Sequence, residues 1–144
     1  MRFATRHPPC AQLYRLGGGI SSRLYQLPAG FPAVVITEEP ILAHGAAAPP
    51  ADARTQAEFA ARGVAMPEVE GDWDTVHGAW ISFPEPGRNL PPLDRLEGFR
   101  PDGDGLYRRA LVAAQAATGV EAVWVYHMGG IGRGRRLEDG CWLG

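Results

Sequence analysis

Glycine and proline residues are the feature that most constrains the fold of this 144-residue chain. The 19 glycines and 13 prolines make up over a fifth of the sequence and cluster between short apolar runs, without a collagen-like period. Both residue types interrupt regular elements. The distribution therefore predicts short strands and helices joined by many turns, in a chain of single-domain length.

Several apolar segments have the pattern of β-strands. Residues 21–37 predict two strands around the turn sequence "LPAGFP", and residues 75–83 alternate between two faces. The runs "LYRRALVAA" and "EAVWVYHM" predict a further strand pair across "QAATGV", and the tail from residue 129 is loop-like. The aromatic residues Trp80, Trp124 and Tyr126 lie at strand spacing and are interpreted as core or cleft wall.

Two segments have the pattern of helices. Residues 52–62 are rich in alanine, with Asp52 as the expected N-cap and Gly63 as the stop. Their apolar stripe is thin, which indicates a position on the surface or over a cleft. In "NLPPLDRLEGF", leucines at three-residue spacing predict a short helix or 3₁₀ turn that Gly98 ends.

The order of these elements predicts the fold class. Strands alternate with only two short helices, which favours an α+β fold, a small mixed β-barrel with flanking short helices. A doubly wound parallel sheet needs more helices of crossover length than the sequence contains.

Composition excludes several classes of function and partner. The formal charge of −2 gives no reason to expect a nucleic-acid partner, and no apolar run approaches the length of a membrane span. The start "MRFATRHPPC" lacks the apolar region of a secretory signal, so we expect a cytoplasmic protein without a membrane partner. Cys10 and Cys141 lie near opposite ends of the sequence and are expected to be reduced thiols. No pattern indicates an oligomeric state.

Motifs for metal, phosphate and serine chemistry are not present. The four histidines, His7, His44, His77 and His127, lack the spacing of metal ligands, so no metal site is predicted. The glycine-rich stretches 16–20 and 129–134 do not match a nucleotide-binding loop and are interpreted as plain turns. No serine lies in a GxSxG motif.

Glu97 is the candidate catalytic residue. Its neighbours Leu93, Leu96 and Phe99 are apolar, and a carboxyl group drawn into the interior with them would have a raised pKa. Such a group can accept and return a proton near neutral pH. The alternative is a surface glutamate that closes a helix. Asp94 is expected to face solvent or to cap its own turn.

A series of short blocks resembles a known family. "RLYQLPAGFPAVV", "VHGAWISF", "LDRLEGF", "YRRALV", "VWVYHM" and "GRRLEDGCW" resemble, in this order, the blocks of the γ-glutamylcyclotransferase-like (AIG2-like) family. The resemblance runs from about Arg23 to Trp142 and implies a single domain over residues 1–144, a small β-barrel with flanking helices. Residues 38–71 look like an insertion. The family's catalytic glutamate corresponds to Glu97.

The resemblance also implies a reaction. The α-amine of a γ-glutamyl group attacks its own γ-carbonyl, forms 5-oxoproline and expels an amine, without metal or cofactor. The partner implied is therefore a small γ-glutamyl substrate. Glu97 would carry the proton from the α-amine to the leaving nitrogen. Gly30, Phe31 and Pro32 resemble a Gly-Tyr-Pro block near the family's cleft, and Tyr107 opens the "YRR" block, so these four are candidate substrate contacts.

One part of the family pattern is not found. Family members begin with an apolar strand that leads into a "YG[ST]L" loop, whose backbone amides bind the substrate's α-carboxylate. The sequence has no such loop, and "MRFATRH" looks like what would follow it. Two alternatives therefore stay open: the sequence begins at an internal methionine, or the protein lacks the first strand. The alternatives are therefore a catalytic cyclotransferase and a non-catalytic binding or interaction domain on the same fold.

Overall fold

The computed structural model describes residues 2–5, 19–46 and 48–142, and for residues 2–5 it describes the backbone. Within these ranges there are nine strands and two helices. In chain order they are β1 (Arg2–Thr5), β2 (Gly19–Gln26), β3 (Pro32–Val35), β4 (Ile41–His44), α1 (Pro49–Arg62), β5 (Asp74–His77), β6 (Ala79–Ser82), α2 (Pro86–Glu97), β7 (Arg108–Ala116), β8 (Gly119–His127) and β9 (Arg135–Arg136).

The strands pair in the order β3-β2-β7-β8-β1-β6, antiparallel except for β1 beside β8. β4 pairs with β7, while β5 and β9 pair with β2. In the chain, Gly78 alone lies between β5 and β6, and β5 pairs with β2. The series of paired strands from β2 to β6 therefore leads back to β2 through this connection. The α+β class predicted from the sequence is confirmed, and closure of the sheet into a barrel stays a prediction.

The β7–β8 hairpin has two apolar faces because side chains alternate along each strand. On one face Val112, Val123 and Val125 pack with residues of β2, β3 and β5. On the other face Leu111 and Trp124 belong to a second core cluster that includes Leu90 of α2. Helices α1 and α2 contact each other, and α1 contacts β8. The second face is therefore the one that the helices cover.

Most of the predicted strands are confirmed. Segment 21–37 contains β2 and β3 around a turn, and the predicted pair after residue 106 is the β7–β8 hairpin. The strand predicted at 75–83 is present but divides at Gly78 into β5 and β6. The tail, predicted as loop, contains the two-residue strand β9, which pairs with β2.

The helix bounds differ from the predictions. α1 begins at Pro49 and not at Asp52, because proline fits the first turn of a helix, where its missing N–H is not needed. The N-cap residue is Ala48, so the prediction that Asp52 caps the helix is wrong. α2 is a 12-residue helix that continues through Pro91 and Pro92, longer than the short turn predicted.

The segment "MRFATRH" contains a strand that the sequence analysis does not assign, while the absence of the family's strand before the loop stays a prediction. Residues Arg2–Thr5 form β1, which pairs with β6 on one side and with β8 on the other. Residues 6–18 lie outside the described ranges, and they include His7, Cys10 and the beginning of the glycine-rich stretch 16–20. Cys141 is disulfide-bonded, so the expected reduced state is wrong for this residue.

Neither described helix combines the length and the apolar character that a membrane crossing requires.

Candidate active site

Glu97 is the last residue of α2, and a glycine turn follows it directly. Gly98 has a left-handed conformation with φ of 63°, which confirms the predicted helix stop. The N–H groups of Gly98 and Phe99 donate to the carbonyls of Arg95 and Asp94 at 3.2 and 2.8 Å, the pattern of a Schellman cap. The backbone on both sides of Glu97 is therefore hydrogen-bonded.

The helical period decides which way Glu97 faces. At about 100° per residue, Asp94 and Glu97 lie within roughly 40° of the fully buried Leu90, whereas Leu96 is about 120° away from it. Leu96 is accordingly 81% exposed, so the expectation that it draws the segment inward is wrong. Glu97 is half-buried, on the face of α2 that turns toward the sheet.

A cluster of four polar side chains lies beneath this end of α2, and we call it the Arg109 cluster. The Arg109 guanidinium, on β7, donates to the carboxylates of Asp52 on α1 and Asp94 on α2. The Tyr126 hydroxyl, on β8, donates to the Asp94 oxygen that also accepts from Arg109. Arg109 further donates to the Ala46 carbonyl at 3.0 Å. Four separate elements thus meet at one arginine that is only 1% exposed.

Aromatic rings complete the surroundings of Arg109. Its Cζ atom lies 4.5 Å from the centroid of the Phe99 ring and 5.9 Å from that of Trp124. Phe99 also packs edge-to-face on Tyr126, with ring centroids 6.4 Å apart. A planar cation between aromatic faces gains cation–π attraction that is stronger when water is excluded.

The electrostatic state of the cluster follows from burial and contact. Burial would lower the pKa of Arg109, but the hydrogen bonds and charge of Asp94, with Tyr126 and Asp52, outweigh it and raise the pKa above its usual value. Burial raises the pKa of Tyr126, and the hydrogen bond to Asp94 acts in the same direction. Arg109 is therefore charged and Tyr126 protonated at neutral pH, as their donor roles require.

The four predicted substrate contacts are only partly brought together. The Tyr107 hydroxyl donates to the Pro32 carbonyl at 3.2 Å, with Tyr107 buried in the second core cluster. Gly30 has a φ of 87° in the turn before β3, and Phe31 is 39% exposed. The N–H of Leu106 donates to the Gly98 carbonyl at 3.0 Å, which sets Tyr107 close to the end of α2.

Sequence reasoning missed three members of the Arg109 cluster. The prediction that Asp94 faces solvent or caps its own turn is wrong, because its side chain is only 17% exposed and is bonded to Arg109 and Tyr126. Asp52 was interpreted as a helix cap, and Arg109 was not singled out. A signal was available, because Arg109 shares a strand face with Leu111 and an arginine on a buried face needs carboxylate partners.

Other polar features lie away from this cluster. His127 is buried at the end of β8, where burial and the nearby Arg108 hold its pKa below the usual value. A cavity of about 450 Å³ has Gln26, Trp142 and residues of the β9 region among its lining, without Glu97. Among the described residues, no group of three or more histidine, cysteine or acidic side chains could hold a metal ion.

The comparisons with known proteins identify a family. No curated protein and no solved structure matches the chain. The family model described as "Gamma-glutamyl cyclotransferase, AIG2-like" matches residues 42–144. That range contains Glu97 and the whole Arg109 cluster, whereas Gly30, Phe31 and Pro32 precede it. Because the match covers well over half of the sequence, the chain belongs to the gamma-glutamyl cyclotransferase, AIG2-like family.

Proposed function

We propose that this protein is a γ-glutamylcyclotransferase that releases 5-oxoproline from a γ-glutamyl amine or peptide, with Glu97 as general acid and base. The observation that carries the proposal is the half-buried position of Glu97 on the inward face of α2, with hydrogen-bonded backbone on either side. Family membership supports the same reaction class.

Glu97 would act twice in the reaction. Its carboxylate accepts a proton from the α-ammonium of the γ-glutamyl group, which frees the nitrogen lone pair to attack the γ-carbonyl. A carbon–nitrogen bond forms to close the five-membered lactam, and the bond to the leaving nitrogen breaks. The proton held by Glu97 passes to that nitrogen as its bond breaks. The ring nitrogen then gives its extra proton to the expelled amine through the same carboxylate, so the amine departs as an ammonium and the carboxylate is regenerated.

Orientation supplies the rest of the rate enhancement. The reaction is already intramolecular, so the site must hold the flexible glutamyl chain in a curled form, a contribution that can reach ~7–11 kcal/mol. We propose that Tyr107 and the Gly30–Pro32 turn form part of the wall against which the chain curls. The hydrogen bond between Tyr107 and Pro32 supports a common location for the two segments.

The fold proposed for this function is a single cytoplasmic domain over residues 1–144, with segment 38–71 as an insertion. β2, β7, β8, β1 and β6 pair in series, β5 precedes β6 in the chain across Gly78, and β5 pairs with β2. This arrangement supports closure of the sheet into a barrel.

Replacement of Glu97 tests the catalytic role. Glu97→Gln keeps the shape and removes the base, so turnover of γ-glutamyl substrates should fall by ~10²–10⁴-fold while the melting temperature stays close to that of the wild type. The measurement is 5-oxoproline release from a panel of γ-glutamyl amines and dipeptides. Glu85→Gln, an exposed acid just before the same helix, is the matched control and should retain full turnover.

A non-catalytic binding domain is the second candidate, favoured by the lack of a "YG[ST]L" motif in the sequence. The same panel separates the two candidates. Binding of γ-glutamyl compounds in calorimetry without 5-oxoproline release by the wild type would support the binding domain. Release by the wild type and by Glu97→Gln at equal rates would remove Glu97 from the mechanism.

A further inference from the structure

The Arg109 cluster connects α1 to the end of α2, which carries the proposed catalytic residue Glu97. We propose that Arg109 is a positioning residue for Glu97, and that Asp52 makes α1 a necessary part of this device. The inference rests on the proposed function for its catalytic consequence, whereas its structural consequence can be tested without activity.

Arg109 holds the chain on both sides of Glu97. Asp94 lies one helical turn before Glu97, and its carboxylate accepts from Arg109. Phe99 lies two residues after Glu97, and its ring covers the Arg109 guanidinium. Because both attachments end on one side chain, a shift of Arg109 moves the segment that carries Glu97 as a unit.

Tyr126 strengthens the same attachment. Its hydroxyl donates to Asp94 and its ring packs against Phe99, and both of these residues also contact Arg109. The end of α2 is thus held by two neighbouring strand residues, since Arg109 and Tyr126 are directly opposite each other in the β7–β8 register.

The opposite side of Arg109 is held by the segment that leads into α1. Asp52 and the Ala46 carbonyl accept from the guanidinium. Gly45 packs so closely that a Cβ atom there would lie 2.9 Å from the Arg109 Nε and 3.0 Å from its Cβ. Asp52 is itself oriented by the Ala46 N–H, which donates to its other oxygen at 2.9 Å.

A second contact fixes α1 to the sheet. Gln56, one turn after Asp52, donates from Nε2 to the Ala122 carbonyl of β8 at 2.8 Å. These two are the buried residues of α1, and both are polar. The buried face of this helix therefore serves to place hydrogen-bonding groups, which accounts for the thin apolar stripe in its sequence.

The chemistry of arginine suits this role. A guanidinium has five donors in a planar fork and can serve two carboxylates and a carbonyl at once, whereas a lysine ammonium is a point charge. Arg109→Lys keeps the positive charge and loses the planar fork of N–H donors. The positioning role therefore predicts a lower turnover for this variant than for the wild type.

The kinetic test uses Asp52→Asn, which preserves the shape of the side chain and lies outside the reacting groups. We expect kcat to fall by ~10- to 100-fold, since displacement of a catalytic group by about 1 Å has effects of that size. KM should stay within about twofold of the wild type, because ground-state binding is not altered. Asp74→Asn is the matched control and should match the wild type, because the Asp74 carboxylate, on β5, accepts from a different arginine, Arg136 of β9.

Rates are measured well below the melting temperature and divided by the folded fraction from circular dichroism, so that loss of fold does not imitate loss of positioning. Asp52→Glu restores the charge and should recover part of kcat. A kcat for Asp52→Asn equal to that of the wild type, or a change confined to KM, would overturn the inference.

Amide hydrogen exchange supplies a readout that does not need activity. The Phe99 N–H, bonded to the Asp94 carbonyl, should exchange at least several-fold faster in Asp52→Asn than in Asp74→Asn. If the wild type has no turnover, the proposed function fails and this measurement still decides the coupling. Equal exchange in the two variants would show that α1 does not hold the end of α2.

Discussion

Two arginines of this protein are each held by two aspartates, in contrasting surroundings. Arg109 is fully buried on the face of the sheet that the helices cover. Arg136, on β9, contacts Asp72 at 2.7 Å and Asp74 at 2.9 Å, but its side chain is 21% exposed and that of Asp72 is 79% exposed. One arginine and two aspartates thus form a buried cluster in one case and a partly exposed cluster in the other.

The difference shows how burial changes the cost of removing one member of an ion pair. An exposed ion pair exchanges contacts with water at little cost and is screened by salt. A buried guanidinium has no water to replace a lost partner, so removal of one member leaves an uncompensated charge. The partly exposed cluster can therefore tolerate substitution, whereas the Arg109 cluster couples the positions of α1, α2, β7 and β8.

The largest expected effect is on stability when the arginines are replaced. Arg109→Met should lower the free energy of unfolding by about 3–5 kcal/mol, because two carboxyl groups are left without their cation. Arg136→Met should have a smaller effect, since Arg136 and Asp72 are in contact with water, although the Asp74 side chain is only 12% exposed. Urea unfolding monitored by circular dichroism measures both, and equal losses would end the distinction between the clusters.

A packing test should have the next largest effect. Gly45→Ala places a methyl group against Arg109 and should cost about 1–3 kcal/mol through overpacking. Gly132→Ala, in the loop before β9, has nothing within 4 Å of the added methyl and should stay within about 0.5 kcal/mol of the wild type. Thermal unfolding compares the two variants. A neutral Gly45→Ala would mean that Arg109 can move without cost.

The contrast between buried and exposed groups extends to histidine and to pH. Burial lowers the pKa of His127 in the folded state, so the unfolded chain binds a proton more readily. Stability should therefore decrease as the pH falls below about 6.5, the ordinary histidine value. The decrease continues until the folded-state pKa is passed.

Histidine variants isolate this effect. His127→Gln should flatten the dependence of the unfolding free energy on pH between 8 and 5.5, which denaturant titration measures. His44→Gln, an exposed histidine whose Nε2 is 2.9 Å from Glu38, should retain the contribution of His127. An unchanged slope in His127→Gln would assign the pH dependence to other groups.

Salt should produce the smallest effect. The hydrogen bond from Arg136 lowers the pKa of the exposed Asp72, so this contribution to stability is lost as the pH falls through the lowered value. At 1 M NaCl the Debye length is ~3 Å, so the difference between the wild type and Asp72→Asn should shrink. The difference between the wild type and Asp52→Asn should persist. A salt-sensitive Asp52 effect would indicate that water enters the Arg109 cluster.

Much of the secondary structure could be predicted from the sequence because it depends on local patterns. Alternation in "EAVWVYHM" and its partner run predicted the β7–β8 hairpin, and Gly98 predicted the end of α2. The same local reasoning failed at Asp52. An aspartate near the start of an alanine-rich segment is a common helix cap, and only the position of Arg109, 57 residues later, gives it another role.

One part of the candidate site could be predicted from the sequence and another part could not. Glu97 could be selected because the block "LDRLEGF" is contiguous, and its inward face follows from the helical period. The Arg109 cluster could not be assembled from the sequence, since its members come from four elements and each has an ordinary local interpretation. Asp94 is an example. Its local sequence fits a position in solvent, and only the presence of Arg109 and Tyr126 beneath the helix shows that it faces the sheet.

The sequence alone thus predicted the presence of both helices and most of the strands, the α+β class, the family resemblance and the identity of the proposed catalytic acid. Tertiary structure alone decided which polar side chains are buried together and that β1 is present between β6 and β8. The physical reason is the separation along the chain of the residues that interact. Backbone conformation responds to neighbouring residues, whereas the partners of a buried charge are set by the packing of elements distant in the chain.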